Sequence, residues 1–392
     1  MNGMGLPIRY NLRNLVVRRA MTLMTAGGIA LVVAVLVLTL ALAHGFRATL
    51  VATGRADHAI VLRGGATSEM MSGIPRGAAR VIEADPGVAR SADGEPLALA
   101  ELVVLANLVR RADPAASSNV TVRGVDPRVF ALRSGIRLAE GRMFRSGLDE
   151  VLVGGKLGAR FAGCGVGETL RLGGRDWRVV GRFDAGGSGF DSEIWGDREA
   201  FLPVFDRRGF SSVTLRLADP ARFAELEARL EADPRLQVEV QRERDYYRAQ
   251  SAQLADVIRA LGLFLVVIMA AGAIFGALNT MYAAVGSRTR EIATLLALGF
   301  TPRAVLASFL IESVLLCLIG GIFGCLLALP IHGVSTGTTN WSSFSEVAFE
   351  FRISPGILAS GLLASVVLGL LGGYLPARAA ARRTVSEALR AG

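Results

Sequence analysis

The sequence predicts an α-helical membrane protein with four transmembrane helices and an α+β extracytoplasmic domain inserted between the first and second. Three observations predict it. The 392-residue chain is 52% hydrophobic yet 20% charged, which fits apolar spans joined to a sizeable soluble part. Four apolar stretches reach the roughly 20 residues that cross a hydrocarbon core. Arginines gather beside those stretches rather than on one soluble helix. The formal net charge of +9 therefore reads as membrane flanks against a lipid bilayer, and no nucleic-acid partner is expected.

The first stretch lies between Arg19 and Arg47, centred on GGIALVVAVLVLTLALA. The ALA at 41–43 resembles a signal-peptide cleavage site, but the apolar run exceeds the usual h-region of about 7–15 residues. Cleavage would also leave three spans, which cannot put both remaining arginine-rich flanks on one side. The next segment, 46–256, reads as α+β. Its β-like runs (HAIVLRG, SNVTVRGV, EVLVGG, SSVTLRLA, LQVEV) alternate with helical patterns such as PRGAARVIEAD and ARFAELEARLEAD. TLRLGGRDWRVVGRF predicts two strands joined by a tight turn at Gly173-Gly174. EVQRERDYYRAQSAQLADVIRALG predicts one helix running into the second span, with no Gly or Pro before Gly262. Two readings of it stay open: a strut that transmits motion, and merely a long helix.

The second span lies between Arg259 and Arg288, the third over about 305–330 and the fourth over about 353–375. This divides the chain into 1–45 (cytoplasmic N-terminus and first span), 46–256 (external domain) and 257–392 (three spans, a short cytoplasmic helix at about 287–299 and a cytoplasmic tail). Orientation follows from charge. Arg9, Arg13, Arg18 and Arg19 precede the first span; Arg288, Arg290 and Arg303 separate the second and third; Arg378, Arg382, Arg383 and Arg390 follow the fourth. The loop between the third and fourth holds only Arg352, with Glu346 and Glu350. The positive-inside rule puts both termini in the cytoplasm and His44 to Asp256 outside.

A search for catalytic chemistry fails. There is no G-x-x-x-x-G-K-[ST] loop; GGKLG at 154–158 has leucine where the hydroxyl belongs. His44, His58 and His332 show no metal-ligand spacing. There is no H-E-x-x-H and no G-x-S-x-G. Ser188, Asp191 and Glu193 in GGSGFDSEIW read as a structural loop. Cys164 stands alone outside, and Cys317 and Cys325 fall in the third span, so no disulfide framework is read. No catalytic residue, metal or cofactor is expected on this chain.

One stretch between spans is punctuated differently. In GSRTREIATLLALGFTP, Ile292, Leu295 and Leu296 form one apolar stripe. Gly299 suits a left-handed helix stop, Thr301 a cap and Pro302 a first helical position. A helix too short to span and too polar to submerge suits docking to a cytoplasmic partner. A plain interfacial loop with snorkelling arginines satisfies the same periodicity.

Those residues also carry a resemblance. Thr289-Arg290-Glu291-Ile292, the break at 297–301, Glu312, the GGIFG at 320–324 and the closing LPARAAARRTVSEALR resemble the segment shared by FtsX/MacB-superfamily ABC-transporter permeases. EGRMF, DEVLVGGKLGARF and GVGETLRLGGRDWRVVGRF resemble the MacB-like periplasmic core domain. With no ATPase domain of its own, the chain resembles the stand-alone members. The resemblance implies a multi-pass protein of the bacterial inner membrane that pairs with a second permease chain as a homodimer. It implies a separate cytoplasmic ABC ATPase that binds ATP-Mg, and a periplasmic adaptor with an outer-membrane channel. Arg288, Thr289, Arg290, Glu291 and Ile292 would couple to that ATPase, with Ile292 the apolar anchor. ATP-driven closure would be relayed to the external domain (mechanotransmission) for export or extraction of a substrate. The alternative it implies is a signal relay that controls a periplasmic partner such as an envelope hydrolase.

Glu312 lies nine residues past Arg303, about 13 Å along a helix, and so within the bilayer or at its edge. A polar contact that holds the transmembrane bundle is the plainer role, and an intramembrane functional acid is the other.

Overall fold

The computed structural model describes residues 19–340 and 343–382, with side chains described from Thr22. Arg9, Arg13, Arg18, Arg383, Arg390, the side chain of Arg19 and the end of the closing motif lie outside the described residues. Among the described residues, four helices are long and apolar enough to cross a membrane. The chain folds as two compact units. One comprises the described residues of Met1–His44, Asp256–Val334 and Phe351–Gly392; the other comprises Gly45–Ala255 and Ser335–Glu350.

In chain order, helix α1 (Arg19–Thr53) is followed by strand β1 (His58–Arg63), helix α2 (Arg76–Glu83) and strands β2 (Ala98–Val109) and β3 (Ser117–Val125). A single turn, α3 (Val129–Leu132), leads to β4 (Arg137–Gly141), β5 (Glu150–Gly154), β6 (Thr169–Leu172), β7 (Arg175–Asp184) and β8 (Glu193–Asp197). Helix α4 (Arg198–Val204), β9 (Ser212–Arg216), α5 (Phe223–Ala232) and β10 (Val238–Arg242) close this segment. Then come α6 (Glu243–Ser287), α7 (Thr289–Ala297), α8 (Pro302–Ala328), the hairpin strands β11 (Ser335–Asn340) and β12 (Ser345–Glu350), and α9 (Pro355–Ala381).

The α+β unit is built on one ten-stranded mixed sheet ordered β10-β1-β9-β2-β3-β8-β5-β7-β4, with β6 on β7. Strand β1 shows why both faces are dry. Ala59 and Val61 enter one apolar cluster, with Ala79, Ile82, Leu226 and Leu230 of α2 and α5. Ile60 and Leu62 enter the other, with Phe183, Phe190, Trp195, Tyr246 and Tyr247. Alternation with period two thus feeds two cores from one strand. The Gly173-Gly174 turn joins β6 to β7 as the sequence predicts, with both glycines at positive φ (56° and 83°), a type I′ geometry closed to most side chains. Helix α6 is one element of 45 residues; it begins at Glu243 because Val238–Arg242 pair with β1.

The hairpin β11–β12 departs from the sequence reading, which kept Glu346 and Glu350 in a loop between spans. It belongs to the α+β unit. Glu346 is clamped by Arg110 and Arg160, and Lys156 Nζ lies 3.1 Å from Glu350 Oε1. Ala348 N donates to Ser192 Oγ (2.9 Å), and Phe349 packs edge-on against Phe46. Val347, Ala348 and Phe349 of β12 are all buried, so this strand is covered on both faces.

In the helical unit, glycines let backbones approach. A Cβ at Gly320 or Gly324 of α8 would stand 2.7 or 2.5 Å from the carbonyl oxygens of Ala26 or Ala30 in α1. Ser313 Oγ of α8 donates to the Gly369 carbonyl of α9 (2.8 Å), and Thr25 and Thr280 hydroxyls join α1 to α6 (2.6 Å).

Candidate functional site

The turn from Ser287 to Pro302 is built by local chemistry. Arg288 leaves the helical region (φ −116°, ψ 22°), so α6 stops and α7 starts in a new direction. Helix α7 ends in paired bonds, Gly299 N to Leu296 O (3.1 Å) and Phe300 N to Leu295 O (3.1 Å), with Gly299 at φ 91°. This is a Schellman stop, which needs a residue free to be left-handed. Thr301 Oγ1 then accepts from Ala304 N (3.3 Å), and Pro302 opens α8. Every punctuation mark expected from the sequence has its structural counterpart.

The faces of α7 differ from expectation. Ile292, expected as an apolar anchor for a partner, is 1% exposed and packs with Met281, Val285, Val305, Phe309, Ala377 and Ala380. The apolar stripe faces its own bundle because that is the apolar surface within reach. Arg288 is also turned inward: its side chain is 10% exposed, its Nη1 donates to Glu312 Oε2 (2.8 Å), its Nε donates to Glu291 Oε2 (3.0 Å), and its guanidinium lies 5.1 Å from the Phe309 ring centre. Thr289 bonds back to Gly286 O (2.8 Å). The outward face is instead Arg290, Glu291, Thr294, Ala297 and Leu298, the last 71% exposed. Glu312, buried on α8, is bonded by Arg288.

A second constellation, in the α+β unit, was not read from the sequence. Arg123 reaches Glu193 through Nε (2.8 Å), and Glu69 and Glu101 through Nη1 (2.8 Å each). Arg133 reaches Glu101 (3.2 Å) and Glu243 (2.6 Å), and His58 Nδ1 lies 3.3 Å from Glu243. All seven residues are buried. Burial alone would raise the Glu243 carboxyl, but the charge of Arg133, followed by His58, overrides it and holds the group at about 2. Glu69 is likewise lowered: burial opposes, and Arg123 outweighs it. Both guanidiniums also lie over the Phe190 ring, at 5.2 and 4.4 Å. The network fastens the first turn of α6 to the sheet; Tyr246 Oη adds a bond from Glu69 N (2.9 Å).

The GGSGFDSEIW stretch is structural, a loop whose last three residues open β8. Asp191 accepts from Ala185 N and Gly187 N (2.7 and 2.8 Å), Glu193 is held by Arg123, and Ser188 is buried. No nucleophile–base pair forms from its three candidates.

The chain matches the family profile of the MacB-like periplasmic core domain over residues 22–233 and that of the FtsX-like permease C-terminal over 263–385. Similar relatives include the macrolide export ATP-binding/permease protein MacB of Bordetella avium, 28% identical over 70% of this chain and 43% of the relative. MacB 1 of Aeromonas hydrophila is 30% identical over 69% of this chain and 43% of its own length. MacB 1 of Yersinia pestis is 42% identical over 33% of this chain and 19% of the relative. The chain spans less than half the length of these curated relatives. Among solved structures, the periplasmic region of MacB from Actinobacillus actinomycetemcomitans aligns at 12% identity and TM-score 0.37, covering 51% of this chain and 95% of that one. The extracellular domain of the noncanonic ABC-type transporter YknZ aligns at 14% and 0.36, covering 47% and 99%.

Proposed function

The chain belongs to the FtsX/MacB family of ABC-type permeases, and from that premise we propose that it is a permease subunit driven by a separate cytoplasmic ATPase. In this reading the four apolar helices cross the bacterial inner membrane, with the α+β domain inserted between the first and second on the periplasmic side. Two such chains pair as a homodimer. ATP-Mg is bound and hydrolysed on the ATPase, and this chain contributes no catalytic group or cofactor. Movement passes to the periplasmic domain, which works with an adaptor and an outer-membrane channel to export or extract a substrate. The relatives' own description as macrolide export proteins supports export over a signal relay.

The observation that carries the proposal is the exposed face of α7. A nine-residue helix, closed by a Schellman stop and seated by a buried apolar stripe, presents Arg290, Glu291 and Leu298 to solvent between two spans. An inert connection between α6 and α8 has no need of such a rigid, charged face. Helix α7 is therefore the docking helix, with the outward residues in place of Ile292 as its contacts.

The test is Glu291→Lys. Loss of one desolvated charge contact at an interface typically costs about 2 kcal/mol or more, at least tenfold in affinity. Co-purification of the ATPase should fall at least that far while permease abundance stays level, because Glu291 is exposed. Undiminished ATPase in the variant would make α7 a solvated connection with no docking role.

A further inference from the structure

We propose that Glu312 is a positioning residue for α7: by holding Arg288 it sets the angle at which the helix presents Arg290, Glu291 and Leu298. The inference rests on the reading of α7 as a docking helix and adds to it the device that aims it. Arg288 is the single non-helical residue between α6 and α7, so the direction of α7 turns on its backbone torsions. Its side chain is bound on the α8 side at two points one turn apart, the Glu312 carboxylate (2.8 Å) and the Phe309 ring (5.1 Å). Below it, Ile292 packs on Val305 and Phe309.

The two layers do different things. An apolar contact such as Ile292 on Val305 holds α7 against the bundle but tolerates sliding and rotation. A guanidinium–carboxylate bond is directional and fixes one pose. A buried ion pair adds little net stability over an apolar pair of the same volume, so a role in setting geometry accounts for it better than one in holding the bundle together. Glu291, bonded to the same guanidinium through Nε (3.0 Å), has its outward carboxylate oriented by the same anchor.

The experiment uses the full chain in lipid nanodiscs with spin labels at Leu298 and Ala379, both exposed. The unaltered chain should give one narrow distance. Glu312→Gln should broaden or split it, and the exchange Arg288→Glu with Glu312→Arg should restore a single distance. Arg288→Lys, which keeps the charge but loses the fork, should broaden it to a smaller degree and decides the matter if Glu312→Gln does not fold. A residue that merely stabilises the bundle would lower the thermal midpoint and leave the distance unchanged; that result overturns the proposal. In a second arm, an ABC-type ATPase subunit purified from the same organism should bind Glu312→Gln about tenfold more weakly than the unaltered chain. An unaltered chain with no affinity for the ATPase overturns the docking reading, whereas the distance measurement still decides whether Glu312 aims α7.

Discussion

Glu243 is wholly buried between Arg133, His58 and the backbone N–H of Arg55. Glu243→Gln leaves Arg133 with one carboxylate fewer in a dry interior, and breaking such a pair typically costs about 3–5 kcal/mol. The thermal midpoint of the full chain in detergent should drop accordingly, whereas Arg222→Ala, which breaks an exposed pair with Glu225, should leave it unmoved. The pH dependence has a defined sign. The folded value near 2 lies below the ordinary 4.5, so this contribution is complete above about 4.5 and is lost as pH falls toward 2. The difference between denaturant midpoints at pH 7 and pH 3 should therefore be smaller in Glu243→Gln than in the unaltered chain, where Glu69 and other lowered carboxylates also contribute. None of this was legible in the sequence. The network's members are scattered from His58 to Glu243, and some are isolated charges in apolar runs, such as Glu101 in ALAELVV or Arg123 in TVRGV, whereas Glu243 is lost among the charges of QRERDYY. Local patterns carry no record of which distant charges meet.

At the scale of elements, what could be read was what local chemistry decides. Gly299, Thr301 and Pro302 marked the break between α7 and α8 because each acts through its own backbone. Gly173-Gly174 marked its hairpin for the same reason. Strand β2 escaped notice because a continuous apolar run such as ALAELVVLANLV suits a buried strand and a buried helix alike. Strand β8 was hidden in a glycine-rich stretch whose end, EIWGD, pairs with β3 and β5. The stripe of α7 was visible, but not the direction it faces, since periodicity gives a face without naming its neighbour. Glycine at helix contacts yields a prediction with a built-in control. Gly324→Ala places a methyl 2.5 Å from the Ala30 carbonyl, so α1 and α8 must part; overpacking of this kind costs about 1–3 kcal/mol. Gly276→Ala meets nothing within 4 Å in the same chain. Thermal unfolding should separate the two, with the first destabilised and the second not.

For the whole molecule, apolar length gave the four long apolar helices of the described residues, the sidedness drawn from arginine asymmetry is a proposal, and long-range assembly stayed out of reach. The proposed topology has a direct test. An impermeant maleimide applied to intact cells should label Ala115→Cys, on the α+β unit, and not Leu298→Cys, at the end of α7; both sites are exposed, and Cys164, Cys317 and Cys325 are buried. Labelling in the reverse pattern would sink the arrangement. The hairpin Ser335–Glu350 has a consequence of another kind, one of timing. A ribosome delivers Arg110 and Arg160 long before Glu346, and three of the four long apolar helices are made in between or earlier. The sheet can pair all ten of its strands by Arg242, yet the two arginines must wait for a carboxylate that emerges only after α8. Closure of the α+β unit is thus a late event in biogenesis, and a nascent chain halted before Ser335 would carry that unit with its clamp still open.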